Sequence, residues 1–107
     1  MTHPNKRRGN NWEREIVNCA QEMGLDAKRA YGSDGRSLGQ EADVDLLVSG
    51  KKVQAKVRAR IPSYLKVPDS CDATAFKETR GQRWVLLRLE DWLEMVKSTN
   101  KEAREDG

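Results

Sequence analysis

Sulfur, histidine, aromatic rings and long apolar runs are all scarce in this chain, and each shortage removes a class of protein. Of 107 residues, 2 are cysteine, 1 is histidine and 6% are aromatic. Cys19 and Cys71 have neither the density of a disulfide-stapled secreted scaffold nor the spacing of a zinc site, so both are expected to be reduced, in or near the core, in a reducing compartment. The single histidine, His3, sits in a polar end and is assigned no role. No apolar stretch approaches the 18 residues that a membrane helix needs, and the N-terminus lacks the apolar segment of a signal peptide. The expectation is a soluble, cytoplasmic chain with no membrane association.

Charge is what the sequence has in quantity. Charged residues make up 35% and hydrophobic ones only 36%, with 3 prolines and a net charge of +3. So small an apolar share gives a modest core and suggests that another copy or a nucleic acid covers part of the surface. The cations are unevenly spread. Lys6, Arg7 and Arg8 open the chain, and Arg14, Lys28, Arg29, Arg36, Arg58, Arg60 and Lys66 recur through its first two thirds, while acids gather near the end. That pattern suits contacts to phosphates, although scattered cations are more often a solvated face. Length and composition predict a basic, mobile arm over 1–9, one domain over 10–97 and a polar tail over 98–107.

Periodicity then orders the elements. Trp12, Ile16, Cys19, Ala20 and Met23 recur at helical spacing, which predicts a helix over about 11–23 stopped by Gly24. At 100° per residue the apolar sector runs from about 0° to about 80° and Glu13 falls near 100°, on the inner flank, with Arg14 and Glu15 pointing elsewhere. A carboxylate placed there needs a reason. One reason is structural: with Asn10 as N-cap, Glu13 would complete a capping box. Residues 25–31 alternate weakly as a first strand, followed by the loop GSDGRSLGQE. Pro62 and Pro68 interrupt a connection over 59–72 in which Ser63 to Lys66 has room for one helical turn. ATAFK predicts a short strand, and RWVLLRL a second whose Trp84–Leu87 run, lacking alternation, reads as buried on both faces. Leu89, Trp92, Leu93 and Val96 show the spacing of a final helix. This order predicts an α/β or α+β domain built on a central mixed sheet flanked by helices.

The stretch DVDLLVSGKKVQAKVR, residues 43–58, carries the chemistry. Gly50 followed by Lys51 suits a type II′ two-residue turn, which sets Val48 opposite Val53, Leu46 opposite Ala55 and Asp45 opposite Lys56. Alternation gathers Val44, Leu46, Val48, Val53, Ala55 and Val57 on one face and Asp43, Asp45, Leu47, Gln54, Lys56 and Arg58 on the other. A cross-strand ion pair on a wet sheet face is the plain reading. Asp45 and Lys56 together with an inward Glu13 are also the mixture that phosphodiester hydrolysis needs. Carboxylates hold Mg²⁺ through hard oxygens, the ion acidifies water, and a lysine positions the nucleophile or stabilises the charge on phosphorus. The carbonyl of Ala55 would add a ligand.

These residues, in this order, resemble the PD-(D/E)XK nuclease superfamily, and within it the archaeal-type Holliday junction resolvases. Arg8, Gly9, Glu13, Arg14 and Glu15 match the opening basic residue, glycine and ERE helix. Arg29, Gly32 and Ser33 match the arginine and Gly-Ser loop, Val44-Asp45-Leu46 the acid's setting, and Gln54-Ala55-Lys56 the E-x-K element. The match covers residues 6–58. It implies a restriction-endonuclease-like fold with Glu13 and Asp45 as metal ligands alongside Gln54 and Ala55, and with Lys56 as the catalytic lysine. It also implies Arg14 and Arg29 as phosphate contacts and Ser33 on a mobile DNA-contacting loop. Lys6, Arg7, Arg8, Arg36 and Arg58 join these as DNA-binding candidates. The expected activity is Mg²⁺-dependent cleavage of DNA, with Mn²⁺ able to substitute, at branched or four-way junctions, leaving 5′ phosphates. The expected assembly is a homodimer.

Two departures matter. Beyond Arg60 the family's longer helix is replaced by a proline-interrupted connection. Gln54 stands where the family has a carboxylate, which weakens the site for a cation; Asp43, or Glu41 from the loop end, would restore the charge. The alternatives are a nuclease of the same superfamily acting on flaps, ends or duplex DNA, and a DNA-binding module that has lost catalysis.

Overall fold

A computed structural model describes residues 4–30 and 41–106, with side chains over 7–30 and 41–101. It is α+β, and the chain divides into two compact units, Met1–Val57 and Arg58–Gly107. In place of one mixed sheet, the strands form two small antiparallel sheets, one in each unit. No helix among the described residues is long and apolar enough to cross a membrane.

The first unit opens with α1 (Pro4–Glu22). The helix expected at about 11–23 therefore starts seven residues earlier, at a proline, whose fixed φ and missing N–H suit a first turn. The capping box falls with that correction, because Asn10 lies inside the helix and not at its end. The C-terminus stops as expected. Gly24 takes φ +83°, its amide donates to the Gln21 carbonyl at 2.9 Å, and Leu25 N–H reaches back to Ala20 O at 2.9 Å. This is a Schellman cap, closed by two buried side chains, Leu25 and Ala20.

Beneath α1 lies a sheet of order β1-β2-β3: β1 (Ala27–Arg29), β2 (Leu46–Val48) and β3 (Lys51–Val53). Ile16 and Ala20 from the helix are buried with Ala27, Ala30, Val44, Leu46 and Val48. The apolar face read from alternation is thus real in β2. The register is not the expected one. Leu46 pairs with Val53, Leu47 with Lys52 and Val48 with Lys51, so Ser49 and Gly50 form the tip, with φ of 48° and 79°. Two positive φ values define a type I′ turn. The cause is β1: its ladder with β2 extends past Ala27↔Val48 to a 2.9 Å bond from Ala30 N–H to Asp45 O at one end and a 2.7 Å bond from Ser49 N–H to Asp26 O at the other. Because the slip is by two residues, each side chain keeps its face while changing its partner.

The second unit has a 3₁₀ turn (Ser63–Leu65), the hairpin β4 (Ala73–Lys77) and β5 (Arg83–Leu87), and α2 (Leu89–Asp106). β4 and β5 pair from Ala73↔Leu87 to Lys77↔Arg83, and Phe76 stacks on Trp84 with ring centroids 5.8 Å apart. The expectation that Trp84–Leu87 is buried on both faces is overturned. Trp84 is 44% and Val85 61% exposed, because a two-stranded sheet has too few neighbours to cover both faces. Leu93 and Val96 are the buried residues of α2 among those whose side chains are described. Both cysteines are free, but Cys71 is exposed and not near the core, in a polar turn after Pro68.

Candidate active site

The first unit brings its candidate residues to one end of the three-stranded sheet, the end away from the turn. Past Leu46 the β2–β3 ladder loses its regular step. Asp45 N–H donates to Val53 O at 2.9 Å, where a continued register would face Asp45 with Gln54. The Asp45 carboxylate instead takes a backbone donor: Ala55 N–H reaches its Oδ2 at 2.7 Å. A side chain that accepts from a neighbouring strand's amide lies in the gap between strands and does not stand on either face. Asp45 therefore sits against the backbone of Val53 and Ala55, and the expected pairing with Lys56 is corrected. No ion pair joins them, and the Lys56 ammonium is exposed with no acidic partner among the described residues.

Next to this gap, one strand over, lies a second cluster. Glu13 is 4% exposed, the buried charged residue of the described chain, which agrees with its place on the inner flank of α1. Its Oε1 meets Arg29 Nε at 3.3 Å, and Arg29 Nη2 donates to Asn10 Oδ1 at 3.2 Å. Asn10 and Glu13 are three residues apart, on one side of the helix, and hold the guanidinium between them. Asn10 is a residue that reading the sequence assigned to capping; its spacing from Glu13 was the available signal. Arg29 is the ladder partner of Leu46, and the next residue, Ala30, bonds the backbone of Asp45. The two clusters thus occupy consecutive rows of the same sheet end.

The other candidates divide by position. Arg7, Arg8 and Arg14 are exposed on α1, with Arg7 and Arg14 two turns apart on one side. Arg58 is exposed at the start of the second unit, and Asp43 and Glu41 are exposed ahead of β2. Ser33, Gly32 and Arg36, and the side chain of Lys6, lie outside the described residues.

The donor set suits a hard divalent cation. Asp45 has one oxygen, Oδ1, without a hydrogen bond among the described residues, and neither the Gln54 amide nor the Ala55 carbonyl is engaged there. Among the described residues no three His, Cys, Asp or Glu side chains gather as ligands. One or two carboxylates supplemented by neutral oxygens, water and phosphate is a coordination that magnesium accepts and zinc does not favour.

On this α+β scaffold a buried acid, Glu13, lies at the sheet end where Asp45 meets the backbone of Ala55, with Lys56 following in the chain. The family model described as archaeal Holliday junction resolvase (hjc) matches residues 4–106, nearly the whole chain. The chain belongs to that family, whose members are nucleases acting on DNA junctions. No curated protein and no solved structure matches it.

Proposed function

We propose that this chain is a divalent-metal-dependent endonuclease that hydrolyses phosphodiester bonds in branched DNA, with the four-way junction as preferred substrate. The observation that supports the reading is the Asp45–Ala55 bond, because it holds a carboxylate against the backbone of the residue between Gln54 and Lys56 in sequence, with Oδ1 free of a hydrogen bond among the described residues. Asp45, the Gln54 amide oxygen and the Ala55 carbonyl would hold Mg²⁺ or Mn²⁺, with Glu13 as the second carboxylate. The ion, when bound, would supply an acidified water and neutralise phosphate charge.

The chain's own residues would do the rest. Lys56 would orient the attacking water and stabilise negative charge on the pentacovalent phosphorus. Arg29 neutralises Glu13, a buried carboxylate that would otherwise be costly, and presents its guanidinium at the same sheet end for a phosphate. Arg7, Arg8 and Arg14 would track the backbone along α1, with Ser33, Arg36 and Lys6 as further contacts. A four-way junction is cut on two strands at related points, which two copies related by a two-fold axis do naturally. A homodimer is therefore part of the proposal, supported by the exposed Trp84 and Val85 of β5.

Gln54 favours a second reading, a junction-binding module without catalysis, and one experiment separates the two. Wild type, Asp45→Ala and Lys56→Ala are incubated with labelled synthetic four-way junction, flap and duplex DNA, with EDTA, Mg²⁺ or Mn²⁺. The expected result is metal-dependent cleavage of the junction by wild type and a loss of at least a hundredfold in either variant. Junction binding without cleavage in either metal would establish the module instead. Metal should also raise the melting temperature of wild type and not that of Asp45→Ala.

A further inference from the structure

The second unit carries a basic groove built from residues other than Glu13, Asp45, Gln54 and Lys56. Arg58, Ala59, Arg60, Ile61 and Lys66 line an open depression of about 390 Å³. Three of the five are cations and none is an acid. Neither Arg60 nor Lys66 makes a side-chain hydrogen bond or ion pair among the described residues, in a chain with 17 acidic residues. Two neighbouring cations, Arg60 and Lys66, with no counter-charge on them among the described residues, repel each other in the folded chain, so a polyanion is the ligand this surface fits.

The groove is also built, not merely a crowded surface. Pro62 fixes its own φ ahead of the 3₁₀ turn, which is closed by Leu65 N–H to Pro62 O at 2.9 Å. The Lys66 carbonyl is held by Thr74 Oγ1 of β4 at 2.7 Å, and the Pro68 carbonyl by Arg88 Nη2 at 2.8 Å. These bonds tie the Lys66–Pro68 end of the segment to β4 and to Arg88, the residue after β5, and hold the Lys66 backbone in place before any ligand arrives. Such preorganisation lowers the entropy lost on binding. Ile61, 51% exposed, gives the wall an apolar surface suited to deoxyribose.

We propose that Arg60 and Lys66 hold neighbouring phosphates of one DNA strand, making this groove a backbone-binding subsite separate from the cleavage residues. The proposal rests on the junction-nuclease reading and extends it to where the substrate is gripped. It begins two residues after Lys56 along the chain.

The test is fluorescence anisotropy of a synthetic four-way junction in EDTA, across a sodium chloride series, with wild type, the double variant Arg60→Ala/Lys66→Ala, and the charge-preserving Arg60→Lys/Lys66→Arg. Removing both cations should lower affinity at least tenfold and make the slope of log K against log salt shallower by about 1 to 2. The charge-preserving pair should restore that slope, which a folding defect would not allow. Unchanged affinity and slope in the double alanine variant, with cleavage by wild type intact, would overturn the groove and leave the nuclease reading standing. Wild type that cuts no junction but binds it with this slope change would do the reverse, and absence of binding would remove both.

Discussion

At the scale of single residues, the chemistry turns on how few carboxylates the site has. Asp45 spends one oxygen on the Ala55 amide, and Glu13 shares its charge with Arg29. In the proposed metal site Gln54 would supply a dipole where a charge would bind a cation more tightly. Replacing it tests whether the amide limits metal affinity. Gln54 is exposed, so Gln54→Glu should fold normally and lower the Mg²⁺ concentration for half-maximal cleavage by about tenfold, or ~1.4 kcal/mol. The readout is initial rate on a four-way junction over a magnesium titration. If Asp43 already supplies the missing charge, the titration will not move, whereas Asp43→Asn will shift it upward. Both variants unchanged would mean that neither position reaches the ion.

At the scale of elements, the hairpin shows what a sequence reveals and what it withholds. The faces of β2 were legible because alternation depends only on the letters, and the inward Glu13 because helical spacing does too. The cross-strand partners were not. Gly50 can sit first in a type II′ turn or second in a type I′ turn, and the choice is made by Asp26, which lies over twenty residues away and accepts from Ser49 N–H. The start of α1 was hidden for a similar reason, since composition alone does not show that a polar, basic segment will continue a helix. A type I′ turn with serine at its first position leaves stability unclaimed, because serine enters the left-handed region less readily than asparagine. Ser49→Asn should stabilise the protein by about 0.5 kcal/mol, measured as a higher urea midpoint. A type II′ register would place residue 49 before the turn and remove any reason for a gain, so a lower midpoint would count against the observed tip.

At the scale of the whole molecule, the question is what covers the apolar surface that 107 residues leave outside. The β4–β5 hairpin leaves Val85 61% and Trp84 44% exposed. Val85 and its partner Ala75 share one sheet face, while Trp84 and Phe76 stack on the other. The substrate supplies the second half of the argument: a junction offers two equivalent cleavage points, and a two-fold pair of chains would meet them together while removing this surface from water. Sedimentation equilibrium at micromolar concentration should therefore give twice the chain mass for wild type. Val85→Glu, at an exposed position that the fold tolerates, places like charges across any two-fold contact at this face and should give the single mass. It should also convert paired cuts at the junction into independent nicks, visible as nicked intermediates that accumulate before resolution. A single mass for wild type would remove the dimer. A double mass unchanged by Val85→Glu would keep the dimer and place its contact away from the β4–β5 hairpin.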